Sequence, residues 1–152
     1  MKLILPAELR VRIEDEARAA FPRECCGLIE GVRDGDTARG FALHPARNIA
    51  VQADRFEIAP EDHFAALKTV RENGHELIGC YHSHPNGKAE PSASDLQGAG
   101  EEDFLWLIAS TARGHAPVVL AAFVYSAAVF LPAEVVCAVG ADLVTSSGNA
   151  RS

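Results

Sequence analysis

The stretch ELIGCYHSHPNGKAEPSASD, residues 76–95, runs from an apolar segment through a Pro/Gly/Asn-punctuated loop into a helix start. Glu76 to His82 is strand-like, residues 84–91 read as loop, and Ser92 reads as the N-cap of a short helix ending near Gly100. Upstream, Pro60 suits the first turn of a helix reaching about Asn73, with Phe64, Leu67 and Val70 or Arg71 on one face. A short strand near Arg55–Ile58 and a loop through His44 and Asn48 precede it. Residues 25–31 and 37–43 form a hairpin around Arg33-Asp34-Gly35, because Asp-Gly supplies the positive φ of a tight turn. KLIL at 2–5 is a short strand, and a helix follows Pro6 to about Ala20 with Leu9, Ile13 and Ala17 at i, i+4, i+8. Phe21-Pro22 ends it.

Downstream, Phe104–Ser110 is another buried strand. From Gly114 to Ala133 no formal charge appears, but Pro117 and Pro132 bracket VVLAAFVYSAAVFL, which is shorter than the roughly 20 apolar residues a membrane helix needs. Its β-branched and aromatic residues read as two buried strands around a tight turn at Tyr125-Ser126. Strands interleaved with helices predict a single α/β domain, a central mixed sheet flanked by helices, over residues 1–140. Residues 141–152 form a small, polar C-terminal tail, expected to be disordered at its end.

The 152 residues carry 14 Lys+Arg against 21 Asp+Glu, a net charge of −7. Phosphate contacts need clustered basic side chains, so a nucleic-acid partner is excluded; so is a membrane. Hydrophobic content of 48% excludes wholesale disorder. The N-terminus offers too short an apolar stretch for a signal peptide, and Cys25, Cys26, Cys80 and Cys137 show no CxxC spacing. Free thiols and a cytoplasmic location are the expectation. Oligomeric state has no signal in the sequence.

In an extended stretch alternate side chains share a face, so His82 and His84 project together, about 7 Å apart along the backbone. Ten residues intervene before Asp95, enough loop to return a carboxylate to the strand end. Two imidazoles and a carboxylate suit zinc and leave a fourth position for water, whose pKa the metal lowers towards 7. A strand-end His-x-His is also compatible with plain polar surface; the added Pro-Ser-x-x-Asp arrangement favours the metal. A zinc hydrolase needs a carboxylate base that is not a ligand, and Glu24, between Pro22 and an apolar strand, is the candidate.

The pattern resembles the JAMM (MPN-plus) metallopeptidase family, whose signature is a distant Glu, His-x-His-Pro and Ser-x-x-Asp. Here these are Glu24, His82-Ser83-His84-Pro85 and Ser92-Ala93-Ser94-Asp95. The run Pro22-Arg23-Glu24-Cys25-Cys26-Gly27-Leu28 is similar to a segment of small bacterial members, and weaker likeness extends through Asn48 and Phe56–Pro60. The resemblance implies the MPN fold, related to that of cytidine deaminases, and one Zn2+ per chain held by His82, His84 and Asp95. It implies Glu24 as acid/base and Ser92 as the hydroxyl that hydrogen-bonds the oxyanion, a role that competes with helix capping. Ser83 faces the other way and is assigned support at most. The implied activity is hydrolysis of a peptide or isopeptide bond at the Gly-Gly tail of a ubiquitin-like sulfur-carrier protein, the tail adding along a sheet edge beside strand 76–82 or loop 86–91.

Two other classes compete: a non-catalytic scaffold of the same fold, which would lose ligands, and a DNA-repair-associated relative, which the acidic charge disfavours. His75-Glu76 opens like HExxH, but Gly79 stands where the second His belongs. The deaminase Pro-Cys-x-x-Cys is absent. Cys80 shares a face with the two histidines and reads as an ordinary buried cysteine, with thiolate ligation as its alternative. His44, His63 and His115 read as loop or surface, and Trp106 as core.

Overall fold

Residues 76–84 pair antiparallel with residues 26–31 and parallel with residues 105–110 in the computed structural model, which describes residues 1–112 and 117–139. The tail at 141–152 and His115 lie outside the described residues. The elements are β1 (Lys2–Pro6), α1 (Ala7–Ala20), β2 (Cys26–Asp34), β3 (Thr37–Ala46), α2 (Pro60–Asn73), β4 (Glu76–His84), α3 (Ala93–Gly98), β5 (Leu105–Ser110), β6 (Val119–Ser126) and β7 (Val129–Ala138). The strands lie in the order β1-β3-β2-β4-β5-β6-β7. Pairings β1–β3, β1–β7 and β4–β5 are parallel and the others antiparallel, so the sheet is mixed as expected.

The expected central sheet flanked by helices is corrected in one respect. β1 pairs with β7 from Lys2↔Glu134 to Pro6↔Ala138, and the sheet closes on itself as a barrel. Closure satisfies the backbone groups that two edge strands would leave unpaired.

Two apolar clusters hold the layers together. Leu9, Ile13 and Ala17 of α1 pack with Leu3, Leu5, Ile29, Ile78, Tyr81, Leu105 and Leu107. On the other face Leu28, Ala66, Cys80 and Trp106 join Phe56, Ile58 and Phe130. The inward face of α2 is therefore Ala66 and Val70, and Phe64, expected on the buried face, is 70% exposed. Small Ala66 allows the helix to approach the sheet more closely than a Phe face would.

The β2–β4 register shifts between Ile29, opposite Gly79, and Glu30, opposite Leu77, leaving Ile78 as the extra residue of a bulge. The bulge lets Ile78 and Tyr81 point into one cluster while Leu77 and Cys80 point into the other. From Cys80 onward the alternation is regular. Ile78 thus resets which face the His-x-His presents.

The expected strand near Arg55–Ile58 is reduced to an isolated bridge between Asn48 and Ile58. The Asn48 side chain replaces a ladder there: its Nδ2 donates to the Glu24 and Arg55 carbonyls, and its Oδ1 accepts from Ala50 N–H and Glu57 N–H, all at 3.0 Å. His44 is also corrected, from loop to β3, where its Nε2 lies 2.7 Å from the buried Glu30 carboxylate. His75 Nδ1 and Asn73 Nδ2 meet the other Glu30 oxygen at 2.6 and 2.8 Å. The paired strands read from VVLAAFVYSAAVFL are β6 and β7 with their turn at Ala127-Ala128, and they are half-buried: Val129 and Leu131 face outward. All four cysteines are free. Among the described residues no helix is long and apolar enough to cross a membrane.

Candidate active site

The C-terminal end of β4 delivers His82 and His84 to one buried point. Their Nε2 atoms lie 2.9 Å apart. Asp95 closes the triangle, one carboxylate oxygen 3.1 Å from His82 Nε2 and the other 3.1 Å from His84 Nε2. All three side chains are buried.

Asp95 arrives by a local device. Ser92 Oγ accepts from Asp95 N–H at 3.1 Å while an Asp95 oxygen accepts from Ser92 N–H at 2.8 Å, a capping box that starts α3. The carboxylate therefore has a fixed angle before any ligand arrives. Ser92 Oγ is engaged only as an acceptor in this box, so its own O–H remains available to donate outward.

Glu24 lies in the extended run just before β2. Cys26 pairs with His82, which sets Glu24 two residues back, level with His84. Ser83, on the opposite face from the histidines, fixes that alignment: Cys25 N–H donates to its Oγ at 2.8 Å and Ser83 N–H donates to the Cys25 carbonyl at 3.1 Å. A ligand atom from each of Glu24, His82 and His84 lies within 4.8 Å of the others. Glu24 is buried, and its Oε1 has no hydrogen-bond partner.

The electrostatics follow from this packing. Burial, foremost, pushes the Glu24 carboxyl up to about 7, with Asp95 and Asp54 adding to the rise and His84 opposing it. Burial lowers His82 and outweighs the pull of Asp95. Burial also opposes a charged His84, but its bond to Asp95 and that carboxylate's charge win and raise it. Burial alone would lift Asp95; the two imidazoles hold it far below the usual carboxylate range.

A tetrahedral ion with bonds of about 2.0–2.1 Å spaces its ligands about 3.3 Å apart. The 2.9–3.1 Å triangle is within a few tenths of that spacing, so these donors fit a zinc ion with little movement. Glu24 would stand beside such an ion, with a carboxylate oxygen within 4.8 Å of the ligand atoms of His82 and His84. Cys80 packs against Leu28, Ala66 and Trp106, and burial raises its thiol well above the ordinary value, which marks it as core. Trp106 is likewise buried.

A groove of about 570 Å³ opens beside Asp95, walled by Ile49, Val51, Arg55 and Phe56 on one side and Gln97 and Gly98 on the other. The strand half of the expected sheet-edge approach is corrected: from Gly79 to His82, β4 is hydrogen-bonded on both sides, to β2 and to β5, so that stretch has no free edge to which a peptide can add. Spacing alone had no means of finding Phe56, which stacks on His82 with ring centroids 4.3 Å apart.

Residues 6–140 match the family model of prokaryotic homologs of the JAB domain, and the chain belongs to that family. It is 33% identical over 114 residues to the desampylase of Haloferax volcanii, spanning 72% of this chain and 81% of that protein. It is 34% identical over 79 residues to a probable TtuB-protein conjugate cleaving protease of Thermus thermophilus, spanning 51% of this chain and 50% of that one. Among solved structures, a Desulfitobacterium hafniense protein superposes with a TM-score of 0.81 at 29% identity, covering 90% of this chain and 92% of its own.

Proposed function

We propose that this chain is a zinc-dependent hydrolase that cuts a peptide or isopeptide bond at the C-terminal Gly-Gly tail of a ubiquitin-like sulfur-carrier protein. The observation that carries the reading is the triangle of His82, His84 and Asp95 with the unpartnered Glu24 oxygen beside it. The names of the Haloferax and Thermus relatives support a conjugate as substrate. Four free thiols suit a reducing, cytoplasmic setting.

His82, His84 and Asp95 would hold one Zn2+. When bound, zinc supplies Lewis acidity that brings the pKa of a water near neutrality. Glu24 takes that water's proton at its free Oε1 and returns it to the departing amine. Because burial raises the Glu24 carboxyl to about 7, it can both take up and give back a proton near neutral pH. Ser92 donates its O–H to the carbonyl oxygen as negative charge develops there. The groove between residues 49–58 and α3 receives the extended tail. The demand for glycines is proposed to lie in the approach to Asp95, where a missing Cβ would let the tail backbone come close.

The test is to incubate the zinc-loaded protein with a carrier protein joined through its Gly-Gly terminus to an amine and to follow the mass. Release of the intact carrier is expected, with loss of cleavage when the penultimate glycine becomes Val. Equal cleavage of the Val tail would defeat the narrow-passage account and point to a general amide hydrolase.

A further inference from the structure

We infer that Phe56 is a positioning residue for the metal-binding ring of His82, so that the groove wall and the metal centre are one mechanical unit. The inference rests on the proposed metal centre.

The two histidines are held differently. A ligating imidazole is normally oriented by a hydrogen bond from its second nitrogen. His84 has one: its Nδ1 lies 3.0 Å from the Lys88 carbonyl. That carbonyl is itself placed by a turn in which Lys88 N–H donates to Asn86 Oδ1 at 2.9 Å. His82 Nδ1 is buried with no partner. No hydrogen bond from this second nitrogen therefore orients its ring.

Packing does so instead. Phe56 lies nearly parallel to the imidazole, with centroids 4.3 Å apart and planes inclined by 23°. Trp106 meets the same ring edge-on at 5.7 Å and 88°, and Phe56 and Trp106 brace each other at 5.7 Å. A flat surface at that spacing fixes the plane of the imidazole, and the contacts of Nε2 with His84 and Asp95 select between its two flips. Trp106 is anchored in β5 opposite Cys80, so its face is fixed by the sheet. Phe56 belongs to the 48–58 loop, is half-buried, and also lines the groove. Whatever occupies the groove presses on the residue that sets the His82 ring.

The experiment compares wild type, Phe56→Leu and Phe56→Tyr. Leu keeps most of the apolar volume but removes the flat face; Tyr keeps the face. Zinc affinity is measured by competition with a chromophoric chelator, and cobalt substitution reports ligand geometry through its visible bands. Phe56→Leu is expected to bind zinc roughly 3- to 10-fold more weakly and to shift the cobalt bands, with Phe56→Tyr close to wild type. Wild-type affinity and an unchanged cobalt spectrum in Phe56→Leu would overturn the inference and leave the metal centre standing. A wild-type protein that takes up no zinc would overturn the metal centre itself, and the inference with it. Should Phe56→Leu fail to fold, the metal-free wild type decides: stacking at 4.3 Å requires ring-current-shifted His82 carbon-bound protons. Unshifted resonances would overturn the inference.

Discussion

Replacing Ser83 by Ala tests how Glu24 comes to stand beside two histidines far along the chain. The Ser83 side chain is fully buried, and its Oγ is the acceptor for Cys25 N–H at 2.8 Å. Alanine removes that acceptor, adds no bulk and leaves the N–H with no alternative partner. Orphaning such a donor costs about 1–3 kcal/mol. For a domain of this length each kcal/mol lowers Tm by about 2–4 °C, so a fall of roughly 4–8 °C is expected at the middle of the range. The remaining bond, from Ser83 N–H to the Cys25 carbonyl, keeps the strands together but lets the segment carrying Glu24 drift. A displacement of about 1 Å at a catalytic group costs as much as 100-fold in turnover. Zinc affinity should stay within about threefold, since Ser83 faces away from the ligand triangle and a direct ligand loss would be much larger. Melting by circular dichroism, chelator competition and carrier cleavage supply the three readings. An unchanged Tm with unchanged turnover would refute the alignment argument; loss of zinc would show that Ser83 supports the ligands instead.

Glu24→Gln is expected to keep zinc while turnover falls by about 10²–10⁴-fold, measured by metal content and cleavage of the same sample; joint loss of metal would make Glu24 a ligand. Gly79→Ala places a Cβ against the Leu105 carbonyl at the β4–β5 pairing, where backbone cannot yield cheaply. It should cost about 1–3 kcal/mol, read as a lowered denaturation midpoint. The Glu30 clasp carries a pH signature. Burial opposes ionisation of Glu30, but Asn73, His44 and His75 outweigh it and hold the carboxyl below its ordinary 4.5. Its contribution is therefore fully present above that value and is lost as pH falls through the lowered one. The Tm gap between wild type and Glu30→Gln should be full at pH 6 and close under stronger acid; a gap that stays constant on acidification would contradict the clasp.

The convergence of His82, His84 and Asp95 was legible because its logic is local: alternation along β4 pairs the histidines, and a helix cap aims Asp95. Helix α1 was legible from Leu9, Ile13 and Ala17, all of which are buried. Elsewhere the deciding interaction spans the chain. Barrel closure depends on β1 meeting β7 across more than a hundred residues, and neither strand's composition encodes its partner. Residues 55–58 read as a strand, but one Asn side chain captures the backbone around them and the pairing stops at the single bridge between Asn48 and Ile58. His44 looks like a loop histidine until Glu30, buried where β2 faces the β4 bulge, is seen to need donors. In α2 the bulky Phe64 drew the apolar face towards itself, whereas close packing against the sheet selects Ala66 and Val70.

Closure and the Asn48 loop together constrain how a tail is held. With β1 joined to β7 and β4 paired on both sides from Gly79 to His82, peptide recognition by strand addition at that stretch is not available. The groove must work through its walls instead. One wall is the segment that Asn48 ties to the Glu24 carbonyl at one end and whose Phe56 covers His82 at the other. Glu24 and His82 therefore share a single support, which is also the surface a bound tail would touch. Under the proposed function, tail binding and ordering of the reacting groups are drawn from the same contacts, so binding energy from the non-reacting part of the substrate is felt at the bond that breaks.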